Sequence, residues 1–145
     1  MNIEVIGEAG TRQLAEKIGR LLKGGEVIEL IGDIGAGKTT FVKGLAKGLA
    51  ISEDIQSPSF TVSRVYNGRN DIQLVHYDFY RLSDPGIIRN ELAELIQDPR
   101  TITVIEWADI VNDVLPEDRQ QFRFSTPHEN SRKIDLDDIY QKILI

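Results

Sequence analysis

The first half of the chain alternates between two hydrophobic periods. IEVI (residues 3–6) has the composition of a short strand. Leu14, Ile18, Leu21 and Leu22 then recur at helical spacing, and Thr11 is the expected N-cap. Gly24-Gly25 ends that helix, and EVIELI (26–31) follows as a near-continuous apolar run, the pattern of a strand covered on both faces. Beyond a glycine-rich loop, residues 39–51 read as a second helix with Phe41, Leu45 and Leu49 on one face. Gly44 and Gly48 lie four apart in it. Each disfavours a helix by about 1 kcal/mol relative to alanine, so close packing against a neighbour is expected there.

The second half reads differently. Residues 51–60 form a loop. TVSRVY and QLVHYDFY are strand-like and flank an Asn67-Gly68 turn signal, as in an antiparallel hairpin. Ser83-Asp84-Pro85-Gly86 breaks the chain ahead of a helix near 87–97, and TITVIEW (101–107) is another buried type of strand. QFRFS and RKIDL flank PHEN as a second hairpin, and DDIYQKILI closes the chain as a short helix. Strands alternating with helices and then hairpins imply one three-layer α/β domain spanning residues 1–145, with a mixed central sheet.

Composition changes this picture little but excludes several functions. With 17 basic and 23 acidic residues, the formal charge of −6 does not favour non-specific binding to nucleic acid or an anionic membrane. There is no cysteine, which excludes disulfides, thiolate chemistry and cysteine-ligated zinc. The first ten residues lack the basic and long apolar segments of a signal peptide, and no apolar run is long enough to span a membrane. A cytoplasmic protein with no membrane association is expected.

The chemistry centres on GDIGAGKT (32–39), which fits G-x-x-x-x-G-K-[ST]. Phosphate oxygens require several donors converging on a small volume. Glycines let the backbone curl around the anion, and the following helix offers unpaired N–H groups and a positive dipole end. Lys38 supplies a mobile charge for the outer phosphates, and Thr39 a hydroxyl suited to Mg2+. An apolar strand before the loop and an amphipathic helix after it supply the context this mechanism needs, so the expected fold is that of a P-loop NTPase. N-K-x-D, a guanine-selecting signature, is missing from the chain, which favours ATP over GTP.

A hydrolytic site also needs a carboxylate near the metal, at the end of a buried strand. Glu106 ends TITVIE and Asp78 lies in LVHYDFY. Glu106, one methylene longer than the common aspartate, is placed to hold Mg2+, and Asp78 to orient water. In SPSFT, Pro58 biases Ser57 towards an extended conformation, so Ser57, Ser59 and Thr61 present hydroxyls at alternate positions in a loop suited to sensing a γ-phosphate. His76 reads as a packed histidine, His128 as exposed, and Trp107 as a core or partner-contact residue.

Taken in order, GDIGAGKTTF, SPSFT, YDFYRL, IEW and a late Ser-Arg before a strand resemble the TsaE (YjeE) family of bacterial tRNA threonylcarbamoyladenosine biosynthesis ATPases over almost the whole chain. The chain differs in having Ala108-Asp109 after IEW, where a proline is common, and Ser131, where a glycine is common. The resemblance implies an ATPase that works with two partners, TsaB and TsaD, on the adenosine beside the anticodon of tRNAs reading ANN codons. tRNA is reached indirectly, through that complex. It further implies that Ile34, Gly35, Ala36, Gly37, Lys38, Thr39 and Thr40 hold the phosphates, that Thr39 and Glu106 bind Mg2+, and that Asp78, Lys38 and Glu106 serve hydrolysis. Ser57 to Thr61 would respond to the γ-phosphate, while Glu8, Thr11, Ser131 and Arg132 would border the nucleotide. Two other uses of such a loop remain open on residues alone. A small-molecule kinase would need an arginine-bearing lid, whereas Arg89, Arg100 and Arg119 are scattered. A nucleotide-dependent scaffold would use ATP to order the 57–61 loop.

Overall fold

The computed structural model describes all residues except Ile34, Ser59, Phe60 and 142–145. Seven strands form one sheet in the order β1-β7-β6-β2-β5-β4-β3. They are β1 (Asn2–Ile6), β2 (Val27–Ile31), β3 (Ser63–Asn67), β4 (Gln73–Asp78), β5 (Thr101–Glu106), β6 (Gln120–Ser125) and β7 (Ser131–Asp135). The central strands β6, β2, β5 and β4 run parallel, whereas β3, β7 and β1 pair antiparallel. Among the described residues the α-helices are α1 (Gly7–Leu21), α2 (Lys38–Gly48) and α3 (Gly86–Leu95).

The sheet is covered on both faces, giving the expected three layers. On one face α1 and α2 pack through Ile18, Phe41 and Leu45 onto Ile28, Leu30, Leu74, Ile102 and Val104. Phe41 meets Phe122 and Phe124 edge-on, with centroids 5.1 and 5.3 Å apart. On the other face Leu92 of α3, with Ala108 and Val111, covers Val27, Val75, Tyr77 and Ile105. The alternation of Leu74 with Val75, and of Val104 with Ile105, is the period-2 rule at work.

Gly44 and Gly48, where close packing was expected, face α1. A Cβ on Gly44 would sit 2.5 Å from both the Ala15 Cβ and the Arg12 carbonyl oxygen, and one on Gly48 would sit 2.4 Å from the Glu16 oxygen. At the far end of the helix pair, Arg69 donates to the carbonyls of Gly48, Gly19, Arg20 and Leu22, binding both C-termini together.

Both hairpins form, with Val65 opposite Val75 and Phe124 opposite Ile134. Four local expectations change. Thr11 does not cap α1: the helix begins at Gly7, and buried Thr11 sits in its first turns with its hydroxyl 3.4 Å from the Gly7 carbonyl. No side chain caps the helix, and of its first N–H groups that of Gly7 is satisfied from outside, by the Asn130 carbonyl at 2.7 Å. The β3–β4 connection runs beyond Asn67-Gly68 through a 3-10 turn at Arg69–Asp71, where Asn70 and Asp71 take positive φ. A further 3-10 stretch covers Ala108–Val114, unforeseen because it carries no long apolar period. Near the C-terminus Asp138–Tyr140 form a 3-10 turn, and the rest of the expected closing helix, 142–145, lies outside the described residues.

Candidate functional site

The phosphate-type loop leaves β2 at Ile31 and enters α2 at Lys38. Gly35 (φ 84) and Gly37 (φ 101) both occupy left-handed backbone, which their lack of a Cβ permits. Ala36 is buried behind them, its N–H bonded to the Asp33 carbonyl at 3.1 Å. In the first turn of α2, Thr39 and Thr40 stay half-exposed while Lys38 and Phe41 are buried.

The parallel register brings the carboxylates to this loop. Leu30 of β2 lies beside Glu106 of β5, and Glu106 beside Asp78 of β4. All three strands thus end together, with both carboxylates next to the loop that follows β2. A cleft of about 390 Å³ opens over them, lined by residues that include Gly35, Gly37, Lys38, Thr39, Thr40, Asp78 and Glu106. Glu8, Thr11 and Arg132 also line it, and Ser57 contributes from the 51–60 loop.

The electrostatics are tightly coupled. The Lys38 ammonium donates to the Gly32 carbonyl at 2.7 Å, lies 3.7 Å from Glu106 Oε1, and sits 4.4 Å from the centroid of the Trp107 ring. Trp107 holds that position through a left-handed backbone (φ 55, ψ 53) directly after Glu106, which turns the chain at the strand end. Its ring is also 4.9 Å from Tyr80. Asp78 Oδ1 accepts the Tyr80 N–H at 3.0 Å. Burial pushes the Asp78 carboxyl above the ordinary aspartate value. The neighbouring Glu106 charge adds to that rise, and the Tyr80 N–H and the Lys38 ammonium oppose it.

Several residues foreseen from sequence lie elsewhere. Thr61 donates to the Ser63 carbonyl at 3.1 Å and lines a separate hollow with Glu53, Asp54 and Arg64. Ser131 is buried, with no hydrogen-bond partner for its hydroxyl oxygen among the described residues. Ile34 lies outside the described residues, as do Ser59 and Phe60 of SPSFT. Conversely, Gly7, Tyr80, Arg81 and Trp107 line the cleft without having been singled out as site residues. Tyr80 and Arg81 belong to YDFYRL, so the motif itself was the available signal. His76, read as a packing residue, has its Nε2 2.5 Å from Glu106 Oε2.

No group of three or more His, Asp or Glu among the described residues is arranged to hold a metal alone. Thr39 and Glu106 offer one hydroxyl and one carboxylate. That sparse set matches Mg2+, which keeps several waters and shares phosphate oxygens, rather than a metal caged by protein. No helix among the described residues is long and apolar enough to cross a membrane.

A mixed sheet whose β2 runs into a lysine-threonine glycine loop, with two carboxylates at the ends of the adjoining parallel strands, is the architecture of a P-loop NTPase. The family model described as "Threonylcarbamoyl adenosine biosynthesis protein TsaE" matches residues 6–134. The chain is 35% identical over 128 residues to the tRNA threonylcarbamoyladenosine biosynthesis protein TsaE of Bacillus subtilis, covering 86% of this chain and 77% of that one. It is 46% identical over 100 residues to the protein of the same name from Treponema pallidum, covering 69% and 73%. Among solved structures, the crystal structure of Bacillus subtilis YdiB superposes with a TM-score of 0.77 at 28% identity, covering 99% of this chain and 90% of that one. The chain belongs to the TsaE family of threonylcarbamoyladenosine biosynthesis proteins.

Proposed function

We propose that the protein binds ATP with Mg2+ in the cleft and hydrolyses it to support turnover of a tRNA-modifying complex with TsaD and TsaB in the cytoplasm. One observation carries the reading: Lys38, Thr39, Asp78 and Glu106, from three separate elements, line a single cleft. The backbone amides of residues 34–39 hold the phosphates, with the part of Ile34 resting on sequence alone, and Thr40 supports them from the first turn of α2. Lys38 exchanges the Gly32 carbonyl for the outer phosphates. Thr39 and Glu106 would hold Mg2+, which when bound would supply charge neutralisation at the phosphate oxygens. Asp78 orients the water that forms the new bond to the γ-phosphorus as the bond to the β–γ bridging oxygen breaks. Glu8, Thr11 and Arg132 border the nucleoside, with Ser131 next to Arg132 in β7. Ser57 lines the cleft and Thr61 does not, so a response of both to a γ-phosphate requires Thr61 to move towards the cleft. TsaD and TsaB are the partners that read this change, and tRNA is met through them.

The test is ATP turnover with Mg2+, measured alone and with TsaB and TsaD, for the parent protein and for Lys38→Ala, Thr39→Ala and Glu106→Ala. Turnover is expected to rise with the partners and to fall at least ten-fold in each variant, as for other losses of electrostatic stabilisation at a transition state. Parent turnover no higher than that of Lys38→Ala in the presence of both partners would overturn the ATPase reading. Threonylcarbamoyladenosine measured by mass spectrometry in a complemented strain tests the pathway.

A further inference from the structure

We propose that His76 is a positioning residue for Glu106: it pins one carboxylate oxygen so that the other faces Lys38 and the Mg2+ position. The proposal rests on the reading of Glu106 as a metal-holding group. His76 is fully buried in the middle of β4. The register sets His76 beside Val104 and Asp78 beside Glu106, so all four share one sheet face and His76 meets Glu106 on the diagonal. Its Nε2 is 2.5 Å from Glu106 Oε2, while Oε1 lies on the other side of the carboxyl, 3.7 Å from the Lys38 ammonium. The two oxygens therefore have different tasks.

The chemistry fits this division. A carboxylate only accepts, so the ring donates through Nε2–H. The remaining ring nitrogen, Nδ1, is buried with no hydrogen-bond partner among the described residues, which is tolerable for a bare lone pair and costly for an N–H. A glutamate has one more side-chain torsion than an aspartate, hence more ways to miss a small, geometrically demanding ion. The bond to His76 removes that freedom. A histidine present only to fill space would need no such contact, since an apolar side chain would fill the same site without burying a polar ring.

The test titrates Mg2+ into protein saturated with a non-hydrolysable ATP analogue, read through Trp107, the chain's single tryptophan, which lines the cleft. Loss of an outer partner of a metal ligand weakens metal binding by about 10–100-fold. His76→Phe is expected to show that loss with Mg2+-free analogue affinity unchanged, and His76→Gln, which keeps a terminal N–H donor, to recover most of it. Unaltered Mg2+ affinity in His76→Phe, or equal losses in both variants, would overturn the proposal. So would a parallel loss of Mg2+-free binding. Nitrogen-15 spectra of the unaltered protein supply a measurement independent of variant folding: the Nε2–H tautomer is expected, and the Nδ1–H tautomer would refute it. If the parent protein binds the analogue with no response to Mg2+, the metal-site reading itself falls, a result distinct from any of these.

Discussion

Replacing Gly44 with alanine sets two effects of opposite sign against each other. Helix propensity alone favours alanine by about 1 kcal/mol, and the backbone at Gly44 is ordinary right-handed helix. Against this, the added Cβ would lie 2.5 Å from the Ala15 Cβ and from the Arg12 carbonyl oxygen, and 3.1 Å from the Arg12 Cα. None of these atoms is the end of a flexible side chain, so relief requires α1 and α2 to separate. Overpacking of this kind costs about 1–3 kcal/mol, and two contacts this short argue for the upper end. The net expectation is a destabilisation of about 2 kcal/mol, the reverse of the propensity effect. Urea unfolding should show it as a midpoint lowered by about 1 M, given a typical slope near 2 kcal/mol/M. Gly10→Ala is the milder comparison, because its nearest neighbour, the Val5 Cβ on β1, is 3.1 Å away and needs to give by only a few tenths of an ångström. A midpoint for Gly44→Ala equal to or above that of the parent would refute the argument that close helix approach explains this glycine. Because α2 begins with Lys38 and Thr39, the same shift should weaken nucleotide binding.

Two other perturbations test the electrostatics. The Asp78 carboxyl is raised by burial, so its contribution to stability is fully present below the ordinary aspartate value and is lost as pH rises through the folded value. Asp78→Asn, which keeps an acceptor for the Tyr80 N–H, should therefore melt above the parent at pH 7 and level with it at pH 3; an equal difference at both would count against the burial argument. Glu29 and Arg119 form a largely buried pair, with Nε 2.7 Å from Oε1 and side chains 10% and 13% exposed. Arg119→Met should cost about 3 kcal/mol in denaturant unfolding by leaving the carboxylate charge unpaired, with only the Gln121 amide still donating to it at 3.1 Å. Adding Glu29→Leu should recover most of it, and a double variant as unstable as the single would contradict this.

Local physics was legible in the chain. The glycine loop between an apolar strand and an amphipathic helix could be read from eight residues and their flanks, because phosphate binding needs backbone donors, a cation and a hydroxyl at fixed spacing. Both hairpins were visible from turn signals, and both carboxylates from their place at or near the ends of apolar runs. The close approach of α1 and α2 was visible in two glycines that propensity alone disfavours. The start of α1 was not, because the Asn130 carbonyl that satisfies Gly7 comes from across the fold.

Period 2 puts His76 and Asp78 on one face of β4 but does not say which strand lies beside it. Strand order and register are non-local: β2 sits between β5 and β6, and β5 between β2 and β4, through pairings separated by many residues in sequence. Only that arrangement brings Glu106 beside Asp78, swings Trp107 over Lys38, and turns a histidine that sequence marks as packing into the partner of a glutamate oxygen. It also places Thr61 in a different hollow from Ser57, four residues earlier. The sequence by itself determined which groups were candidates for the site. The tertiary structure decided which of them meet, because distances between side chains on different strands depend on pairing free energies summed over the whole sheet and not on spacing along the chain.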